Sequence, residues 1–387
     1  MSSVLTWGAG LVGAWLPTFL VVLFTTVLVL NVFGRRPKNF PSGMMILPVV
    51  GSLLSMPRGP TMEMLRGLRK KYGDIASFGI FGNRVVVVSS TSLLKEVFAL
   101  RATADRPEIV FTTVRNRILT DNRISDIGVV GTNGQIWQEQ RRFMLHHLRD
   151  LGFGKSSYEP VMVEEIAELL DDLEREDGRP LQMKLMGVMF DLFVAGMETT
   201  SSSLTTIVHL MTKHPHVQRR VQEELDEVVG RDRLPSFSDM ERLPYVQATI
   251  HEALRILNLI KLSLPHMTAE DCKLGGYDIP KGTWLMGNLD DAHRNPEYWK
   301  NAGTFDPQNF LDENGKFKKN NAFVPFGVGK RVCPGEPLAR LELFLFFSHL
   351  FQRFTFTLVE EHRPLIETNP MFNTPPDYTA RAKYRTK

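Results

Sequence analysis

Phe326-Gly-Val-Gly-Lys-Arg-Val-Cys-Pro-Gly-Glu-Pro-Leu-Ala-Arg340 is the stretch whose reading decides the rest of the chain. It holds Cys333, one of two cysteines in 387 residues, and a strongly apolar run from Leu338 to Phe351 follows it. Gly327 and Gly329 permit backbone conformations that a side chain would block. Pro334 and Pro337 suit the start of a helix, where a missing N–H costs nothing. The cysteine is therefore expected in a glycine loop at a helix N-terminus, where N–H groups and the helix dipole favour a thiolate. A single thiolate with no companion Cys or His is one way a haem iron is held.

Working outward, Trp137 and Arg141 stand four apart in a helical run from Gly134 to Leu148, so they share a face. A longer helical run, Met186 to His209, contains Phe190-Asp-Leu-Phe-Val-Ala-Gly-Met-Glu-Thr-Thr200. Ala195, Glu198 and Thr199 fall at i, i+3 and i+4 on one face. Gly196 and the hydroxyl residues weaken the helix there. The apolar approach through Leu192 to Ala195 predicts that this face is buried. Helices are also expected at Thr91–Leu100, Pro215–Gly230 and Leu243–Leu257, the last with Glu252 and Arg255 spaced to pair. Two β-rich runs on either side of Phe81-Gly82-Asn83, within Ile75–Ser89, read as a hairpin.

No charged side chain occurs from Met1 to Gly34, and Leu11 to Phe33 is long enough to cross a bilayer as a helix. Arg35, Arg36 and Lys38 follow at once, which places the remainder on the cytosolic side. Pro37, Pro41, Gly43, Pro48 and Gly51 then form a stiff connector. The organisation expected is an anchor at 1–34, a basic, proline-rich hinge at 35–51 and one domain at 52–387. With 46 Lys plus Arg against 43 Asp plus Glu, the whole chain makes no case for nucleic acid. Two distant cysteines make no disulfide framework, and Cys272 reads as a bystander thiol in a reducing compartment.

The run from Phe326 fulfils the pattern Phe-x-x-Gly-x-Arg-x-Cys-x-Gly and resembles the signature of cytochrome P-450, in its microsomal family-2 branch. The resemblance implies a mainly α fold with small β-sheets (α+β), bearing an N-terminal transmembrane helix and sitting in the endoplasmic reticulum membrane. It implies haem b with Cys333 as its iron ligand, and Trp137, Arg141, Arg331 and His266 toward the propionates. Arg suits a carboxylate through its fork of donors. Ala195 to Thr200 is similar to the family's distal segment, with Glu198 and Thr199 serving proton delivery. Glu252 and Arg255 are similar to the family's brace beneath the cysteine loop. Its usual third member, an Arg, is replaced here by Asn309, which gives up charge-assisted bonds.

Electrons are expected from NADPH through a separate reductase, since no dinucleotide or flavin fingerprint occurs. Arg142, Arg149 and Lys330 are expected to face that acidic partner, with cytochrome b5 as a further one. The implied activity is insertion of one oxygen atom of O2 into a lipophilic small molecule. A non-oxygenase haem-thiolate isomerase or dehydratase is an alternative, and so is an inactive shortened form. The last is motivated by a departure in length. Trp137 and Ala195 are only 58 residues apart, and the family's interval is longer by on the order of 100, which also leaves the chain short against the length prior. The seam is placed near 177–184, where the helices that roof a substrate pocket are missing.

Overall fold

The computed structural model describes residues 17–26, 36–47, 50–56, 60–108, 113, 128–150, 183–363 and 371–385, without the side chains of 149–150 and 183–190. Most of the expected anchor lies outside these residues, as does the seam from 177 to 182. Residues 17–26 are helical, and among the described residues no helix is long and apolar enough to cross a membrane.

Asn83-Arg-Val-Val-Val-Val88 shows how the first layer forms. A run of β-branched residues favours a strand, and one with no polar alternation suits a strand covered on both faces. This strand, β2 (Asn83–Val88), pairs antiparallel with β1 (Ile75–Ile80) and parallel with β6 (Trp284–Gly287), which β3 (His266–Met267) flanks. Val86 and Val88 pack under α2 (Thr91–Ala99), against Leu94 and Val97. Val85 and Val87 face the other way, toward Leu65 and Leu68 of α1 (Met62–Tyr72). The turn between β1 and β2 holds only Phe81 and Gly82, both with positive φ (46° and 78°), as a type I′ turn requires.

The second layer is helical: α3 (Gly134–Asp150), α4 (Met183–Lys213), α5 (Pro215–Val228), α6 (Pro244–Leu257), the short α7 (Leu289–Arg294) and α8 (Glu336–Arg353). Proline opens α5 and α6 within the first turn. Met211, Val221, Leu225, Val246, Phe347 and Phe351 bring α4, α5, α6 and α8 into one core. Two ribbons complete the fold, β4 (Cys272–Leu274) with β5 (Tyr277–Ile279) and β7 (Phe354–Arg363) with β8 (Asp377–Tyr384).

One expectation fails at α4. The stretch from Phe193 to Glu198 is exposed, not buried, with Phe193 at 67% and Met197 at 59%. Nothing among the described residues packs over that face. Farther along the same helix, Thr206, Ile207, Leu210 and Met211 are buried by α5, α6 and α8.

Candidate active site

The cysteine loop is set by two glycines with different tasks. Gly327 and Gly329 both take positive φ, 75° and 79°. At Gly329 a β-carbon would meet the Phe98 carbonyl oxygen at 2.1 Å, so the loop lies directly against the end of α2. The Cys333 N–H donates to Phe326 O at 3.0 Å and closes the loop. Helix α8 begins three residues later, with Gly335 as its N-cap and a proline in the first turn. The N–H groups of Gly335 and Glu336 donate to the sulfur.

These donors do not prevail on their own. Burial pushes the Cys333 thiol above its ordinary range, against the pull of the Gly335 and Glu336 N–H groups and of Arg141. The expectation that the loop alone favours a thiolate is therefore corrected. Two amide dipoles are outweighed by loss of water, and a metal cation is what would restore the anion.

Trp137 and Arg141 sit one turn apart on α3, with the guanidinium 5.9 Å from the indole. Arg141 Nη2 donates to Val332 O at 2.9 Å, beside the cysteine. Trp137 is 7% exposed, and its Nε1–H is buried with no hydrogen-bond partner. Arg331 stacks on the same ring at 3.8 Å from the other element. Its fork is largely committed: Nε donates to Ala104 O at 2.7 Å, Nη1 to Val129 O at 3.0 Å and Nη2 to Thr132 O at 2.6 Å.

His266 is buried. Its Nδ1–H donates to Thr103 O at 2.8 Å, and its ring stacks on Phe98 at 4.1 Å. Burial first, then the neighbouring Arg106, pushes its pKa well below the ordinary value, so Nε2 is an unprotonated acceptor.

Arg106 is a residue that sequence reasoning missed. It donates through Nη1 to Leu264 O and Pro265 O at 2.6 and 2.9 Å, while its Nε is buried and unpartnered. Asn133 holds it by a reciprocal pair: the Arg106 N–H donates to Oδ1 at 2.7 Å, and Nδ2 donates to Arg106 O at 2.8 Å. Burial and Arg141 lower the Arg106 guanidinium to about 10, and burial and Arg106 lower Arg331 to about 8. Among the described residues, none of Arg106, Arg141 and Arg331 has a carboxylate within salt-bridge distance. Three neighbouring guanidinium groups and two buried N–H donors without a hydrogen-bond partner make a donor set for an anion. The paired carboxylates of a haem fit that donor set.

On α4, the Thr199 hydroxyl donates to Ala195 O at 2.5 Å, and Glu198 Oε1 accepts from Ser202 at 3.3 Å. Both Glu198 and Thr199 thus lie on the helix as expected, on a more open surface than expected. Below the loop, Arg255 and Glu252 form a fully buried bidentate pair at 2.6 and 2.7 Å. Arg255 also donates to the carbonyls of His293 and Ala302 at 2.7 Å. Asn309 Nδ2 reaches Glu252 Oε1 at 3.1 Å, so the amide takes the third place in the brace. Arg142 and Lys330 are exposed, and the side chain of Arg149 lies outside the described residues. A cavity of about 410 Å³ runs along α3, lined by Trp137, Gln138, Arg141, Arg142, Leu145 and His146.

Comparison with known proteins identifies the family. The family model for cytochrome P-450 matches residues 41–186 and 181–380. Cytochrome P-450 2J5 of Mus musculus is 31% identical, covering 88% of this chain and 90% of its own. Cytochrome P-450 2D26 of Rattus norvegicus is 30% identical over 92% and 95%, and cytochrome P-450 2L1 of Panulirus argus 30% identical over 89% and 94%. The alignment with the mouse protein is 460 positions long, so about 120 of its positions have no residue of this chain opposite them.

Proposed function

Because this chain belongs to the cytochrome P-450 family, we propose that it is a haem-thiolate monooxygenase of lipophilic small molecules, supplied with electrons by a separate NADPH-dependent reductase. The observation that carries this reading is the half-buried cationic cluster of Arg106, Arg141 and Arg331, the last two at the Trp137 ring whose Nε1 has no partner. Bound haem would supply the activation of dioxygen, and Cys333 would be the residue that holds its iron.

Every other task falls to the chain. Trp137 Nε1 and Arg106 Nε would donate to the propionates, with the buried His266 beside Arg106 on the same side of the site. Arg141 serves both the propionate side and the Val332 carbonyl, which keeps the cysteine in register with α3. Glu198 and Thr199 hold protons on the distal side, where proton transfer by a placed side chain is worth about 10²–10⁴-fold. Arg142 and Lys330, exposed around the cysteine loop, meet the acidic reductase. The uncharged segment before Arg35 anchors the protein in the endoplasmic reticulum membrane with this domain in the cytosol.

A second reading concerns how well the chain performs. The two overlapping matches to the family model, and the unmatched positions opposite the mouse protein, support an internal deletion near 177–184. The exposed Phe193 and Met197 support the loss of the helices that covered α4. On this reading the chain binds haem and turns over poorly, because water reaches the distal side. The test is reconstitution with reductase, NADPH and isotopically labelled dioxygen. Label in the product supports the monooxygenase, and NADPH consumption yielding only peroxide or water supports the impaired form. A chain that takes up no haem contradicts both.

A further inference from the structure

The main chain between Gly128 and Thr132 is gripped from two sides. From α4, the Asp191 carboxylate, 4% exposed, accepts through Oδ2 from the N–H groups of Val129 and Val130 at 2.9 and 3.1 Å. From the cysteine loop, Arg331 donates to the carbonyls of Val129 and Thr132 at 3.0 and 2.6 Å. The Val129 residue therefore turns its N–H toward an anion and its C=O toward a cation, and bonds to ionised partners are about twice as strong as neutral ones. Thr132 Oγ1 donates to Gly128 O at 2.6 Å and closes the turn on itself. Helix α3 begins at Gly134, with Trp137 in its first turn under Arg331.

We infer that Asp191 is a positioning residue for haem seating: its carboxylate fixes the 128–132 turn, the turn fixes Arg331, and Arg331 fixes the Trp137 ring that presents Nε1. This rests on the family reading of the site. Asp191 itself stands on α4, one turn before Ala195, and its bonds to the turn go to the main chain of Val129 and Val130. The turn is bonded to both Asp191 and Arg331. It links the helix carrying Glu198 and Thr199 to the residue two places before Cys333.

Two substitutions separate the clamp from general stability. Asp191→Asn keeps an oxygen that can accept both N–H groups and removes the charge, whereas Asp191→Ala removes the acceptor. In the full chain without haem, Asp191→Ala should raise amide exchange in the segment 128–133 and leave α5, α6 and α8 unchanged. In the haem-loaded full chain, haem transfer to excess apomyoglobin should be faster, by no more than the low end of the about 10–100-fold that losing a direct partner of a metal ligand costs, because Asp191 acts through the turn and Arg331. Asp191→Asn should lie between wild type and Asp191→Ala in both. Should the alanine variant fail to fold, faster haem release from Asp191→Asn at an unchanged melting temperature carries the test. Unchanged haem release in the variants, with wild type loaded normally, overturns this proposal alone, as does exchange that rises evenly across the helices. A wild-type chain that takes up no haem overturns the proposed haem function first, before any variant is compared.

Discussion

The Arg331 guanidinium lies 3.8 Å from the centre of the Trp137 ring while its own N–H groups are spent on the carbonyls of Ala104, Val129 and Thr132. A cation held this way orients the indole and leaves Nε1 as the donor with no partner. The same arginine is tied in sequence to Cys333, two residues on. The stacked indole and the cysteine loop are thus parts of one bonded unit.

The two loop glycines should respond differently to alanine. At Gly327 a β-carbon meets nothing, so the cost is that of a positive φ, about 1–2 kcal/mol. At Gly329 the same strain is joined by contact with the Phe98 backbone, which cannot move without α2. Gly329→Ala should therefore lower the melting temperature well beyond Gly327→Ala. Equal losses would show that α2 yields.

The brace predicts a large effect from a single truncation. Arg255 and Glu252 are both fully buried, and removing one partner of such a pair typically costs about 3–5 kcal/mol. Arg255→Ala should lose at least that much in urea unfolding, since the carbonyls of His293 and Ala302 also lose their donor. Asn309→Ala should cost less, about 1.5–3 kcal/mol for one bond to a charged acceptor. A larger loss at Asn309 than at Arg255 would reverse the assignment of the brace.

Much of this was legible in sequence, and what was not has identifiable causes. The hairpin around Phe81-Gly82 follows from residues that accept positive φ between two β-rich runs, and α5 and α6 follow from prolines at their starts. Cys333, Trp137 and Arg141 were read from spacing and resemblance, and the structure brings them to one place. Arg106 was missed because its function depends on which carbonyls surround it, and Asp105-Arg-Pro107 carries no pattern. Asp191 left a signal that went unused, a lone carboxylate in the apolar run Phe190 to Ala195. The burial of α4 was misjudged because apolar composition records what a helix was made to meet. It does not record whether that neighbour is present.

Histidines held neutral in the fold contribute to the acid response, His251 and His293 together with His266. Burial, then Arg340, lowers His251 to about 3, and burial, then Arg255, lowers His293 to about 3. Their folded pKa values lie below the unfolded value near 6.5, so the unfolded chain binds more protons between about pH 3 and 6.5. Stability is fully present above pH 6.5 and falls as pH drops, by about 1.4 kcal/mol per unit for each histidine. Urea midpoints at pH 7 and pH 5 should show this, with a shallower slope in His251→Gln. A flat profile would mean that these histidines accept protons in the fold.

The exposed side of α4 predicts that length can be restored with profit. Leaving a large apolar side chain uncovered gives up roughly 1.5–3 kcal/mol, and Phe193 and Met197 are both in that state. A family-length insert at the 178–184 seam should raise the melting temperature and the fraction of NADPH use that yields product. Equal values with and without the insert would show that the shortened fold closes its own pocket.

The most direct test is the reduced, carbon-monoxide-bound absorption spectrum of the full chain beside its Cys333→Ala and Cys272→Ala variants. The account predicts a thiolate-type band in wild type, the same band in Cys272→Ala and its loss in Cys333→Ala. A thiolate band that survives Cys333→Ala, or no thiolate band in a wild-type chain loaded with haem, would contradict it.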